Sequence, residues 1–145
     1  MSFVKDLEKG KEAEKKFARY LIDYPKLVKL EFPTGKFKEW DIKMTTQEKE
    51  ITYEIKSDIM APQTGNFVIE YRFKWKASGI YASKADYIVY NVLWKRWIQE
   101  RWELILRLIG TEKRETKWGD WRNSDLYVIK CDELPNLFEP LNFNE

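Results

Sequence analysis

The 145-residue chain has no histidine and a single cysteine, Cys131. Without histidine, Ser-His-Asp triads, histidine-based nuclease chemistry and the usual zinc ligands are excluded. One cysteine forms no intramolecular disulfide and no cysteine zinc cluster, so Cys131 reads as a small, half-buried residue on a late strand. No apolar run approaches the ~20 residues of a membrane span. Met1-Ser2-Phe3-Val4-Lys5-Asp6 leads straight into a charged segment, with no signal-peptide pattern. A cytoplasmic protein is expected (host cytoplasm if viral), with no membrane partner. Repeats, low-complexity tracts and linkers are also missing. Acid–base or metal chemistry must therefore use carboxylates, lysine, tyrosine, backbone carbonyls or water.

Aromatic residues make up 16% of the chain and include seven tryptophans. This is bulky apolar surface for a core, and the length suits one compact domain over residues 1–145. Net charge is only +2, but its distribution is uneven. Residues 72–101 hold Arg72, Lys74, Lys76, Lys84, Lys95, Arg96 and Arg101 against Asp86 and Glu100. The same segment contains Trp75, Tyr81 and Trp94, and positive charge with interleaved aromatics suits a phosphate backbone.

Periodicity predicts a helix over about 3–23, in which Phe3, Leu7, Gly10, Glu14, Phe17 and Leu21 form the inward stripe. Glu14 interrupts that stripe. Either a metal or a lysine meets it, or it borders the stripe and reaches water. Strands are predicted at 27–32, 37–45, 50–57, 66–76, 86–92 and 125–130, with a short helix at 79–85 and a long one at 94–109. Residues 66–76 alternate, with Phe67, Ile69, Tyr71, Phe73 and Trp75 on the dry side. The run around Tyr87-Ile88-Val89-Tyr90 fits a strand covered on both faces. Trp94, Trp97, Ile98, Trp102, Ile105 and Ile109 form a stripe on the long helix, either core or a dimer face. Pro135 and Pro140 mark an irregular tail.

The sharpest chemical pattern is Asp41 followed by Glu54-Ile55-Lys56. A polar turn near Thr45 to Lys49 folds the Asp41 run back beside Ile51 to Lys56 as a hairpin. Strand alternation puts Glu54 and Lys56 on one face and turns Ile55 into a core. Two carboxylates and a lysine then converge on a spot suited to a hard divalent cation with a water beside it. Glu70 is either beside Glu54 on a neighbouring strand or paired with Arg72.

Trp40-Asp41, Glu54-Ile55-Lys56 and Glu14 resemble the metal site of the PD-(D/E)xK nuclease superfamily, with Trp40 in place of the proline of its name. Within it the chain looks like the small archaeal and phage Holliday junction resolvases, and Gly65 to Glu70, Ser78-Gly79-Ile80 and Lys84-Ala85-Asp86-Tyr87 are similar to a pattern in the phage members. The likeness covers roughly residues 10–92, with Trp121-Arg122-Asn123-Ser124 as a further point. It implies an α/β fold with a mixed central sheet flanked by helices, like a restriction endonuclease core. It also implies a homodimeric, metal-dependent DNA endonuclease that cuts four-way junctions and leaves 5′-phosphates. Asp41, Glu54 and the Ile55 carbonyl are then expected to bind Mg²⁺ (with Mn²⁺ substituting), and Glu14 to complete the shell directly or through water. Lys56 is expected to orient the attacking water. Arg72, Lys74, Lys76, Ser78 and Lys84 are the expected DNA contacts, with Glu70 supporting the site. The alternatives are a restriction-like or repair nuclease on linear or flapped DNA, and a nucleic-acid-binding module without catalysis.

Overall fold

A polar turn closes the first strand pair. The Thr46 hydroxyl accepts the N–H groups of Glu48 (3.2 Å) and Lys49 (3.0 Å), while the Thr46 N–H bonds back to the Lys49 carbonyl at 2.8 Å. A threonine that meets two turn amides in this way holds a tight reversal without glycine. The computed structural model describes residues 2–33, 39–58, 61–119 and 122–141, with side chains described from Glu12 onward.

The order of elements is α1 (Ser2–Ile22), β1 (Leu27–Glu31), β2 (Ile42–Thr46), β3 (Glu50–Asp58), α2 (Ala61–Thr64), β4 (Asn66–Phe73) and β5 (Lys76–Ala77). After these come β6 (Tyr87–Val92), β7 (Lys95–Glu100), α3 (Arg101–Ile109), β8 (Arg114–Trp118), β9 (Ser124–Lys130), α4 (Leu134–Leu137) and β10 (Glu139–Leu141). They make two sheets. The larger runs β1-β2-β3-β6-β7-β10 and the smaller β5-β4-β9-β8. Only β3 and β6 pair in parallel, so the large sheet is mixed. The fold is α/β, with a mixed central sheet flanked by helices.

Strand alternation divides the core in two. Ile51, Tyr53 and Ile55 of β3 face α1, where Phe17 packs edge-on against Tyr53 at 4.9 Å and is only 1% exposed. Fully burying a ring of this size stabilises by roughly 1.5–3 kcal/mol. Val89 of β6 joins this layer, while its neighbours Ile88 and Tyr90 join the other, with Phe67, Ile129, Leu104 and Phe138. The strand is buried on both faces, as its apolar run predicts. The Tyr90 hydroxyl donates to the Val68 carbonyl and so ties the large sheet to the small one.

Several expected elements differ. The predicted helix 94–109 is a strand, β7, followed by the shorter α3. Leu93 and Trp94 both have positive φ (55° and 64°) and close β6 onto β7 as a two-residue hairpin. Helical spacing in the tryptophan stripe is thus coincidental at its start. Trp97 is buried in β7, Trp94 is fully exposed at the turn, and Trp102, Leu106 and Ile109 form an exposed stripe on α3. No helix forms at 79–85, which is a series of turns. The strand expected to reach residue 76 ends at Phe73, and Lys74-Trp75 is a second two-residue turn with positive φ (48° and 68°). Phe73 and Trp75 therefore do not share the dry face of Phe67 and Ile69, and both are exposed. The tail is not irregular either. Leu134, Leu137 and Phe138 are buried, and β10 pairs with β7. Cys131 lies just after β9 rather than on it and is half-buried.

Among the described residues, no helix is long and apolar enough to cross a membrane.

Candidate active site

The β2–β3 ladder ends at Ile42 paired with Tyr53, and the chain before Ile42 bends away. Asp41 thus sits at a bend rather than on the strand expected for it. It is still held, because its N–H donates to the Tyr53 carbonyl at 2.8 Å and its carboxylate accepts the Ile55 N–H at 2.8 Å. The carboxylate takes the place that the next strand residue would fill. Since N–H and C=O of a strand residue point the same way, the Ile55 carbonyl lies on this same edge, beside Asp41. Phe37 and Lys38 lie outside the described residues.

Glu54 and Lys56 project from the opposite face to Ile55, as expected. Their register partners on β6 are Ile88 and Tyr90. Both line a cavity of about 140 Å³ with Glu70, Val68, Gly79 and Ile80. That volume holds several waters. Lys56 is exposed and Glu54 half-buried. Burial, followed by the charge of Asp41, holds the Glu54 carboxyl above its ordinary value. Lys56, a hydrogen bond from the buried Ser83 hydroxyl and the charge of Arg101 act the other way. A half-buried carboxylate that feels the negative charge of a second one favours a cation between the two.

Glu70 reaches the same cavity by another route. It is not on a strand next to β3, whose neighbours are β2 and β6. It comes from β4, on the crossover that joins β3 to β6. Nor does it pair with Arg72. Its carboxylate accepts the Ser78 hydroxyl at 3.0 Å, and Arg72 instead holds Asp125 at 2.5 Å. Ser78, expected to touch DNA, is thus committed to Glu70. The Ile80 N–H bonds to the Glu70 carbonyl at 3.1 Å. This close approach needs glycine between them: a Cβ on Gly79 (φ +51°) would lie 2.1 Å from that carbonyl oxygen.

Glu14 is carried by α1. Its helix covers the Tyr53 and Ile55 face of the sheet, whereas Glu54 and Lys56 project from the other face. Glu14 itself is half-buried. Among the described residues, no three or more His, Cys, Asp or Glu side chains form a group that could hold a metal ion. The other expected stripe residues of α1, Phe3, Leu7 and Gly10, have side chains outside the described set. The donors that do meet are Asp41, Glu54 and the Ile55 edge. Mg²⁺ keeps several waters and needs only one or two protein carboxylates, so this pair fits it.

Two residues that act on the site do not read as site residues from the sequence. Ser83 and Arg101 are both buried, and both act on Glu54. Arg101 opens α3, donates to the Ile80 carbonyl at 3.0 Å and lies over the Trp102 ring at 4.5 Å. A charged residue hidden in a tryptophan-rich stripe is the only signal that pointed to it. Lys74, Lys76 and Lys84 are exposed. The Lys84 N–H is bonded to the Glu39 carbonyl, which leaves its side chain on the surface. Trp121, from the weaker likeness at 121–124, lies outside the described residues.

No protein-family model matches the chain, and no curated protein matches it by sequence. Among solved structures the fold is similar to that of a bacterial homing endonuclease, I-Ssp6803I, at a TM-score of 0.51 and 16% identity. The match covers 86% of this chain and 78% of that one. At such low identity it is the architecture alone that is shared, a mixed central sheet flanked by helices.

Proposed function

We propose that this protein is a Mg²⁺-dependent DNA endonuclease. The observation that carries the reading is the pinning of the Asp41 carboxylate to the N–H of Ile55, the residue between Glu54 and Lys56, both of which line a cavity with room for several waters. Asp41, Glu54 and the Ile55 carbonyl are the proposed cation ligands, and Glu14 contributes through water from around the sheet edge. A bound divalent cation supplies polarisation of the scissile phosphate and easier ionisation of water. Lys56, exposed at the cavity mouth, holds the attacking water and stabilises developing charge. Positioning rather than deprotonation is the role proposed for it. Ser83 and Arg101 fix the orientation of Glu54. Cutting leaves a 5′-phosphate, as the superfamily likeness implies.

The proposed substrate is a four-way junction cut by a homodimer. One chain carries one Asp41–Glu54–Lys56 set, and symmetric cutting needs two. The exposed stripe of Trp102, Leu106 and Ile109 on α3 supplies apolar surface for the pairing. A second reading, a nuclease acting on linear duplex, is favoured by one observation: the similar structure is a homing endonuclease. Labelled linear, flapped and four-way-junction DNA, incubated with and without Mg²⁺, separates these readings. Metal-dependent paired nicks on the junction, well ahead of linear duplex, are expected. Equal cutting of junction and linear DNA would remove the resolvase reading, and no cutting of any of them would remove the nuclease reading.

A further inference from the structure

The outer end of the small sheet carries a group of side chains that cutting does not use. Trp75 is 78% exposed at the β4–β5 turn. Two-residue hairpin turns with both φ values positive favour Asn and Gly, so a Lys-Trp pair there is strained. The ring is nevertheless held in place. Lys117 Nζ lies 4.6 Å and the Arg72 guanidinium 5.9 Å from its centroid. Both cations are themselves anchored on Asp125, at 2.8 Å and 2.5 Å, and that carboxylate is almost wholly buried. In register, Phe73 of β4 and Trp118 of β8 lie on either side of Ser124 in β9. Both rings are exposed. Lys74 and Lys76 flank Trp75 in solvent.

We propose that this end of the sheet is a stacking platform for an unpaired nucleobase, centred on Trp75. The charges decide the occupant. Arg72, Lys74, Lys76 and Lys117 outnumber the two nearby carboxylates, Asp125, which Arg72 and Lys117 hold, and Glu115 of β8, whose charge also acts on Arg72. An aromatic surface with surplus positive charge complements a phosphate-bearing base rather than an apolar peptide. The held ring costs little ordering when a base arrives. The proposal rests on the nuclease reading for its place on the substrate. Strand β4 runs from Glu70 in the cavity to Phe73 at the platform, three residues or about 10 Å. At roughly 3.4 Å per nucleotide, a base stacked on Trp75 lies a few nucleotides from the cut. Trp75 would then grip DNA where strands are unpaired, as at a branch.

The test uses the full chain carrying Asp41→Asn, so that bound DNA stays intact, with oligo-dT and a duplex of equal length as probes. Trp75→Gly removes the ring while easing the strained turn, so the fold survives. Trp75→Phe keeps an aromatic face. Trp75→Gly is expected to weaken oligo-dT binding by about tenfold and to lose part of the tryptophan quenching. Duplex affinity should change by less than about twofold, and Trp75→Phe should restore much of the loss. Unchanged oligo-dT affinity, or an equal loss on duplex, overturns the platform. Cleavage by the parent chain with Mg²⁺ is measured in parallel. If the parent cuts but Trp75→Gly binds oligo-dT normally, the platform alone falls. If the parent never cuts but the Trp75→Gly loss is seen, the platform stands and the nuclease reading falls.

Discussion

The Asp41 carboxylate accepts the Ile55 backbone N–H at 2.8 Å, so one side chain both continues the strand ladder and anchors the proposed cation site. The two duties separate by mutation. Asp41→Asn keeps an oxygen for the Ile55 N–H but loses the charge, whereas Asp41→Ala loses both. Cutting should fall by orders of magnitude in each. Only the alanine variant should also lose stability, by about 1–3 kcal/mol for the orphaned backbone donor. Denaturant titration of the two variants decides this, and equal stability would mean that the pin carries no load.

Glu54 gives a pH signature. Burial and then Asp41 raise its carboxyl above 4.5 in the folded chain. The folded state thus prefers the protonated form. Its contribution to stability is fully present below 4.5 and is lost as pH rises through the higher folded value. Metal-free protein should therefore lose stability across that window, and Glu54→Gln should lose less. Added Mg²⁺ should raise the Tm of the parent most at neutral pH and leave Glu54→Gln unmoved. Identical pH profiles for parent and variant would contradict the assignment.

Lys56→Ala should remove most turnover without loss of Mg²⁺-induced stabilisation. Lys56→Arg should rescue poorly, because a broad guanidinium does not replace a compact ammonium beside a small cation. Single-turnover cleavage at saturating Mg²⁺ is the relevant measurement, and full activity in the arginine variant would end the positioning role.

For DNA affinity the informative lysines are the exposed ones. Arg72→Ala would leave the buried Asp125 with Lys117 alone and confuse binding with folding. Replacing Lys74, Lys76 and Lys84 together by Ala avoids this. Binding should weaken, and the slope of log affinity against log salt should flatten by about 0.9 for each lost phosphate contact. An unaltered slope would place the footprint elsewhere.

Gly79→Ala tests the packing that brings Glu70 to the cavity. Its Cβ would meet the Glu70 carbonyl oxygen at 2.1 Å, and φ is positive there as well. Left-handed backbone alone costs roughly 1–2 kcal/mol for a non-glycine residue, and the clash adds to it. Thermal unfolding should show a loss above that range, together with reduced cutting. A neutral effect would show that the β4–β6 connection tolerates rearrangement.

How far the sequence reading reached depended on whether the deciding contact was local. The Asp41–Lys56 hairpin was legible because its turn chemistry and alternation lie within sixteen residues of one another. The doubly buried β6 was legible from its unbroken apolar run. The β6–β7 turn was not, because Leu93 and Trp94 carry no Gly or Asn signal for positive φ, and Trp94, Trp97 and Ile98 match helical spacing equally well. Ser83 and Arg101 reach Glu54 only through tertiary packing. The Arg72–Asp125 pair likewise forms only through tertiary packing, its partners being far apart in the chain. The buried Leu134, Leu137 and Phe138 were hidden by prolines at 135 and 140, which suit a helix start and an edge strand as well as a loose tail.

The small sheet is assembled from two distant excursions of the chain, with Phe67 of β4 paired to Ile129 of β9. The hairpins β2–β3 and β6–β7, by contrast, close over a few residues. Loop closure makes distant pairing the slower event. Asp41, Glu54 and Lys56 should therefore meet early in folding, on local hairpins, while the wall bearing Glu70 and Trp75 docks late. A newly made chain would bring its proposed cation ligands together before the proposed DNA-facing wall had docked.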